Sequence, residues 1–223
     1  MLPWNDRKGF RHWILSSALN FRQLQLLSMI DYSTDKNSLA VDIGCNVGYL
    51  TRPLFSRTYT VGLDVDKNVL SSTKACNRDI DFICCDLCHL PLKKSSVNLV
   101  VCASVFEHVE KLSEALNEIK IVLKKEGKLA AGYPIETRLL DYIMKSFWRS
   151  ESQVWDQGNI VKHKDRLKNP HTHKSSYKDI RRNIEKNFLI LKKQKMPRNY
   201  FPDSLSIYEN IILMRRENRN SRE

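Results

Sequence analysis

The sequence predicts an α/β protein: a mostly parallel sheet with helices on both faces, finished by an antiparallel strand pair. Three observations carry this. Short apolar runs alternate with helical stretches through residues 39–132. The runs are apolar at successive positions, as strands covered on both faces are. Two further strand-like runs follow the last helix with only a Pro-containing loop between them, too little chain for a parallel crossover.

Residues 8–31 suit an amphipathic helix, with Phe10, Trp13, Ile14, Leu24, Leu27 and Met29 among basic and polar positions. Asp35, Lys36 and Asn37 break that pattern. Residues 39–43 (Leu-Ala-Val-Asp-Ile) read as the first strand, followed by a Gly-containing turn and a helical stretch over 48–57. Residues 59–63 are the second strand, 67–76 a helix, and 80–84 and 97–102 the third and fourth strands. Residues 111–125 carry Leu112, Ala115, Leu116, Ile119, Val122 and Leu123 at helical spacing, with Gly127 read as the C-terminal stop. Residues 128–132 are the fifth strand. Beyond Pro134 the character changes. Residues 138–149 suit an amphipathic helix, 156–175 show no periodicity, 177–187 are helical, and 188–192 and 205–214 are the closing strands.

This divides the chain into an N-terminal helical cap (1–36), a ligand-binding core (37–134), an insertion or lid (135–175), a closing helix and strand pair of the same domain (176–215), and a charged tail (216–223). The 223 residues are 42% hydrophobic and 28% charged, which argues against a disordered or collagenous chain. The formal charge is +12. Residues 1–134 hold 17 Lys/Arg against 14 Asp/Glu, and residues 135–223 hold 20 against 11. Most of the excess therefore lies after the core; by itself it fits nucleic acid, anionic membrane or an acidic small molecule. Met1 to Ile30 is broken by charges into a stretch without a secretory apolar region. With no such signal, the six Cys read as reduced thiols of a cytoplasmic protein.

The chemistry concentrates in residues 41–50, Val-Asp-Ile-Gly-Cys-Asn-Val-Gly-Tyr-Leu, where the first strand turns into the first helix. In an open α/β sheet ligands bind there, outside the carboxyl ends of the strands. A dinucleotide fingerprint beginning at Gly44 requires Gly at 46 and 49, where Asn46 and Tyr49 stand. A phosphate-binding P-loop fails for want of Gly-Lys-Ser/Thr.

The stretch resembles motif I of the class I S-adenosylmethionine-dependent methyltransferases, an acid followed by x-Gly-x-Gly-x-Gly. Asp42, Gly44, Asn46 and Gly48 occupy its positions, with Cys45 inside the loop. Asn replaces the middle Gly and is the non-glycine residue best suited to left-handed backbone. Further matches follow in order. Residues 61–64 end the second strand on Asp64, followed by Val65; in the family this acid accepts hydrogen bonds from the ribose hydroxyls, work suited to an acceptor-only carboxylate. A helix N-cap is its structural alternative. Asp86 and Leu87 end the third strand where the family binds adenine, a turn residue being the alternative for Asp86. Residues 97–108 resemble motif IV, which lines the methionine and methyl group and here includes Ser104. Residues 123–129 are similar to the family's L-K-P-G-G-x-L segment. The resemblance implies a Rossmann-like seven-stranded sheet whose antiparallel last strand lies beside the fifth, with S-adenosyl-L-methionine as cofactor.

Residues 107–109 are similar to the Glu-His-Val stretch of the ubiquinone-biosynthesis O-methyltransferases. There, and in a small-RNA 2′-O-methyltransferase family, an E-x-x-E-H pattern holds a divalent metal. Ser104 replaces its first acid here, so no metal is assigned, and His108 is the candidate general base or substrate contact, with capping and packing at the start of the next helix as its structural alternative. Cys84, Cys85, Cys88 and His89 offer zinc-type donors, but without paired C-x-x-C spacing they read as packing thiols.

The resemblance implies methyl transfer by in-line displacement, with the protein aligning acceptor and methyl and excluding water. An apolar helix (Leu139, Leu140, Ile143, Phe147, Trp148) beside a basic loop (Lys162, His163, Lys164, Arg166, Lys168, His171, His173, Lys174) suits a small-molecule or lipid-like acceptor, anionic and partly apolar. It also suits peripheral contact with an anionic membrane. RNA is the alternative acceptor, and a non-catalytic interaction protein of the same fold is the second alternative.

Overall fold

A computed structural model of the chain describes residues 21–31, 38–135, 153–156, 159–162, 173–196 and 206–216. Its elements, in order, are a helix α1 (residues 21–29), β1 (Leu39–Ile43), α2 (Thr51–Phe55), β2 (Tyr59–Asp64), α3 (Lys67–Cys76), β3 (Asp81–Cys84) and β4 (Val97–Ala103). A 3-10 turn (Phe106–His108), α4 (Leu112–Val122) and β5 (Leu123–Pro134) come next. They are followed by β6 (Gln153–Asp156), β7 (Asn159–Lys162), α5 (Tyr177–Asn187), β8 (Phe188–Met196) and β9 (Tyr208–Arg215).

Seven strands form one sheet in the order β3-β2-β1-β4-β5-β9-β8. The pairings from β3 to β5 are parallel, and β9 runs antiparallel between β5 and β8. This is the predicted seven-stranded sheet, with the last strand inserted beside the fifth. The strand order reverses between β1 and β4, the switch point outside whose carboxyl ends open α/β sheets bind their ligands.

Alternating side chains of the central strands feed two cores. Val100, Cys102, Leu129, Ala131, Ile211 and Leu213 pack with α4 and α5 on one face. Val101, Ala130 and Ile212 pack with Leu26, Met29, Ile30, Leu50 and Leu54 of the α1 and α2 side on the other. Each central strand is thus buried on both faces, which is why it reads as a continuous apolar run.

Several predicted bounds shift. The second helical stretch is confined to Thr51–Phe55, because residues 44–48 are spent on the loop. The helix read over 111–125 stops at Val122, and Leu123 is already extended at φ −66°, ψ 135°. Gly127 does not cap it. Pairing jumps from Val97↔Leu123 to Leu99↔Lys128, so residues 124–127 bulge out of the ladder and Gly127 lies in that bulge. Helical spacing continued through Leu123 because one side chain can serve either element. A two-stranded antiparallel hairpin, β6–β7, in a separate sheet overlaps the start of the segment 156–175 read as aperiodic, with β7 inside it and β6 ending at its first residue. The predicted helix over 138–149, the basic positions 163–171, residues 8–20 of the N-terminal helix and the tail 217–223 lie outside the described residues.

Candidate active site

The loop after β1 is built by left-handed backbone. Gly44, Asn46 and Gly48 have φ of 68°, 46° and 83°. The asparagine is thus accommodated in the conformation that its replacement of glycine requires. Gly44 is constrained twice, since a Cβ there would also collide with Val105 Cγ2 just beyond β4. The loop is tied to β2, with Gly44 N and Cys45 N both donating to the Leu63 carbonyl at 2.8 and 3.0 Å.

Two carboxylates hold it further. Asp42, fully inside β1, accepts from the Thr51 hydroxyl at 2.6 Å. Burial pushes its carboxyl up to about 7, with the Thr51 hydrogen bond opposing and the nearby Asp64 charge adding to the rise. Asp64 accepts from Asn46 N at 2.9 Å through Oδ2 and from Asp66 N at 3.0 Å through Oδ1. It does not cap α3. That role belongs to Asp66, whose Oδ1 accepts from Asn68 N and Val69 N. Asp64 is partly exposed, and each of its oxygens keeps lone-pair capacity that these two bonds do not use.

The neighbouring strand ends complete a rim. Cys85 N donates to the Asp64 carbonyl at 3.0 Å, which places Asp86 directly beyond it. Asp86 is exposed and its Oδ1 accepts from Cys88 N at 2.8 Å, so it is a turn-forming residue with its second oxygen unused by that turn. Val65 is 74% exposed, an apolar side chain presented beside two acids. Leu87 differs from the others because its side chain is buried in the core, which leaves its backbone as what it presents to the rim. Cys45 is buried, and desolvation followed by the Asp42 and Asp64 charges pushes its thiol upward, so it is no thiolate nucleophile.

Beyond β4, Ser104 also takes left-handed backbone, at φ 58°. Its N donates to the Gly132 carbonyl at 2.7 Å, and its Oγ lies 2.9 Å from the Tyr208 hydroxyl. His108 ends the 3-10 turn, where the segment 173–175 folds over it: Lys174 N and Ser175 N both donate to the Glu107 carbonyl. The His108 and His173 rings meet edge to face at 5.1 Å. One donor atom each from Glu107, His108 and His173 lies within 4.8 Å of the others. A carboxylate with two imidazoles suits a divalent transition ion by donor type. Among the described residues no other such group forms, so Cys84, Cys85, Cys88 and His89 are not gathered. Cys85 and Cys88 pack against the core instead.

The structure therefore brings Asp42, Gly44, Cys45, Asn46, Gly48, Asp64, Val65, Asp86, Ser104 and His108 to one edge of the sheet. It adds Thr51, Arg22, Tyr208 and His173, whose signals in the sequence are weak. Thr51 lies in a helix of one turn, Arg22 and Tyr208 are far in sequence from the partners that give them a role, and His173 reads as one of many basic-loop positions.

Comparison with known proteins supports the same assignment. A family model described as a methyltransferase domain matches residues 41–131. An uncharacterized protein of Methanocaldococcus jannaschii is 38% identical over 114 residues, 51% of this chain and 48% of that protein. A malonyl-[acyl-carrier protein] O-methyltransferase of Methylovorus is 26% identical over 128 residues, 52% of this chain and 42% of that protein. The chain thus spans just under half the length of these curated relatives. Among solved structures, a Pyrococcus horikoshii protein superposes at TM-score 0.66 with 14% identity, over 95% of this chain and 93% of its own. An S-adenosylmethionine-dependent methyltransferase of Mesorhizobium loti superposes at 0.61 with 16% identity, over 86% and 96%. Residues 41–131, which hold the left-handed loop and both of its acids, thus match a methyltransferase-domain model, and the fold is that of solved S-adenosylmethionine-dependent methyltransferases.

Proposed function

We propose that this protein is an S-adenosylmethionine-dependent methyltransferase acting on a small-molecule or lipid-like acceptor that is anionic and partly apolar. The carrying observation is the left-handed loop 44–48 closed against Asp64, a half-buried, acceptor-only carboxylate at the switch point of the sheet. When bound, the cofactor supplies a methyl group on a sulfonium sulfur, transferred by in-line displacement.

The chain's own residues do the rest. Asp64 accepts from a vicinal diol while Asn46 N and Asp66 N fix its orientation. Asp42 and Thr51 hold the loop from beneath. Val65 offers an apolar surface, and Asp86 an acceptor, to a flat nitrogenous ring. His108, just beyond β4, takes the proton if the acceptor is a hydroxyl or a carbon acid. An acceptor already ionised at neutral pH needs no base.

The excess of 20 Lys/Arg over 11 Asp/Glu in residues 135–223 supports an anionic acceptor. So does the similarity to a protein named for methylating a malonyl group, which is itself an anion. The same charge favours RNA as the second reading. Calorimetry with S-adenosylhomocysteine tests the cofactor assignment: micromolar binding is expected, and no binding at high micromolar concentration returns the chain to a non-catalytic interaction protein. Labelled methyl transfer into cell extract, fractionated into lipid, RNA and small molecules, tests the acceptor.

A further inference from the structure

Arg22 sits where no sequence motif points, and its placement is built. Helix α1 crosses one face of the sheet from edge to edge. At its far end Asp31 pairs with Lys128 at 3.6 Å and Lys192 at 2.9 Å, and Lys128 lies opposite Leu99 near the amino end of β4. At its near end Arg22 lies over Tyr208, which pairs with Pro134 at the carboxyl end of β5. Arg22 is therefore on the same edge as the cofactor loop.

Asn210 fixes it there. This fully buried side chain donates from Nδ2 to the Arg22 carbonyl at 3.0 Å and to Gln25 Oε1 at 2.9 Å. Gly132 makes the room, since a Cβ at that position would lie 2.5 Å from Asn210 Oδ1 and 2.8 Å from Tyr208 Cε1.

The guanidinium is half-buried, with its carbon 4.6 Å from the Tyr208 ring centroid. Among the described residues no Asp or Glu lies within ion-pair distance of it, unlike Arg52, Arg181 and Arg182. A cation held over an aromatic face keeps its N–H donors for another partner. Beneath it the Tyr208 hydroxyl meets Ser104 Oγ at 2.9 Å, and the next residue, Val105, abuts Gly44 of the loop.

We propose that Arg22, the Tyr208 hydroxyl and Ser104 form an oxyanion subsite beside the cofactor loop, binding a carboxylate or phosphate carried by the methyl acceptor. Its meaning as an acceptor site rests on the methyltransferase reading; the anion binding itself does not. Arginine suits the task because its planar fork matches both anions in two-point contact, which lysine cannot reproduce. The subsite also places a positive charge near the chemistry, whereas most of the protein's net charge lies after residue 134.

The test uses the full chain with 15N-labelled arginine side chains, titrated with malonate in one arm and inorganic phosphate in the other at constant ionic strength. The Arg22 Nε–H resonance, assigned by its loss in Arg22→Gln, is expected to shift saturably in at least one arm. The responding arm tells a carboxylate from a phosphate. Read by calorimetry, because the variant lacks the reporter resonance, Arg22→Gln is expected to weaken that anion at least fivefold. Arg22→Lys and Tyr208→Phe are expected to weaken it two- to fivefold. S-adenosylhomocysteine affinity should stay within twofold in all three, which shows that the fold and the cofactor loop survive. An Arg22 resonance that moves in neither arm, or an Arg22→Gln protein that binds the anion as wild type does, overturns the proposal. Failure of wild type to bind S-adenosylhomocysteine strikes the methyltransferase reading alone, because the anion titration has its own resonance.

Discussion

Asn46 occupies the position where the family pattern has glycine, and its φ of 46° states the condition any replacement must meet. Asn46→Gly meets it at no steric cost, so S-adenosylhomocysteine affinity should stay within about threefold. Asn46→Val places a β-branched side chain in left-handed backbone, a strain of roughly 1–3 kcal/mol. It should lower both the unfolding midpoint and the affinity, read by thermal scan and calorimetry. Asp64→Ala removes charged acceptors and should weaken S-adenosylhomocysteine by about 1–3 kcal/mol; unchanged affinity would mean the ribose site lies elsewhere. Asp42 adds a pH dependence. Its carboxyl is raised from 3.8 to about 7, so between those values the folded state binds more protons than the unfolded one. Stability then falls as pH rises through that window, by ~4 kcal/mol at most. Urea unfolding from pH 4 to 7 should show that slope, and Asp42→Asn should flatten it. At this scale the loop was legible because Asp42, Gly44, Asn46 and Gly48 are near neighbours whose spacing itself carries the information. Arg22 and Tyr208 were not: their meaning arises from a contact between residues 186 positions apart in the chain.

The elements show the same division between local and non-local control. Strands β1 and β4 and helices α3 and α5 were readable because each has one consistent periodicity and one burial pattern. The end of α4 was not, because Leu123 is apolar in either continuation and the bulge after it is set by pairing with β4. The hairpin β6–β7 was not readable either, as its strands are four residues each in a stretch dominated by polar positions. Helix α1 was predicted from its apolar stripe, but its anchoring on the sheet rests on Asn210, a buried polar side chain just before the apolar run Ile211–Met214 of β9. Removing that anchor is the direct test. Asn210→Leu deletes hydrogen bonds to the Arg22 carbonyl and Gln25 Oε1 and leaves both without that donor, at a cost of about 1–3 kcal/mol. Amide exchange should quicken across residues 21–29 while β1 and β4 keep their protection. Uniform loss of protection would mean α1 and the sheet open together rather than through this anchor.

For the whole molecule, the question is what a +12 chain does with a charge that lies mostly outside the segment carrying the left-handed loop. The loop and strand ends around residues 41–50 carry acids, with Asp42 beneath the loop and Asp64 and Asp86 at the strand ends, and the positive surplus collects after residue 134. On the proposed reading the two regions attract different things: one a hydroxyl-bearing, electrophilic cofactor, the other an anion. An RNA and an anionic lipid surface would both answer, but they differ in how binding responds to salt and to apolar area. RNA retention that rests on phosphate contacts alone falls steeply with salt, as released counterions dictate. Adsorption to an anionic bilayer combines a screened electrostatic attraction with apolar burial that added salt does not remove. A small or lipid-like acceptor leads us to expect clear binding to vesicles containing phosphatidylserine, reduced but not abolished between about 50 and 300 mM salt, a range over which the Debye length shrinks about 2.4-fold. Binding to bulk RNA should be weak and should vanish over the same range. Flotation and filter-binding assays read the two in parallel. A tight, structure-selective RNA complex that survives the higher salt would reverse the preference and make RNA the acceptor to pursue.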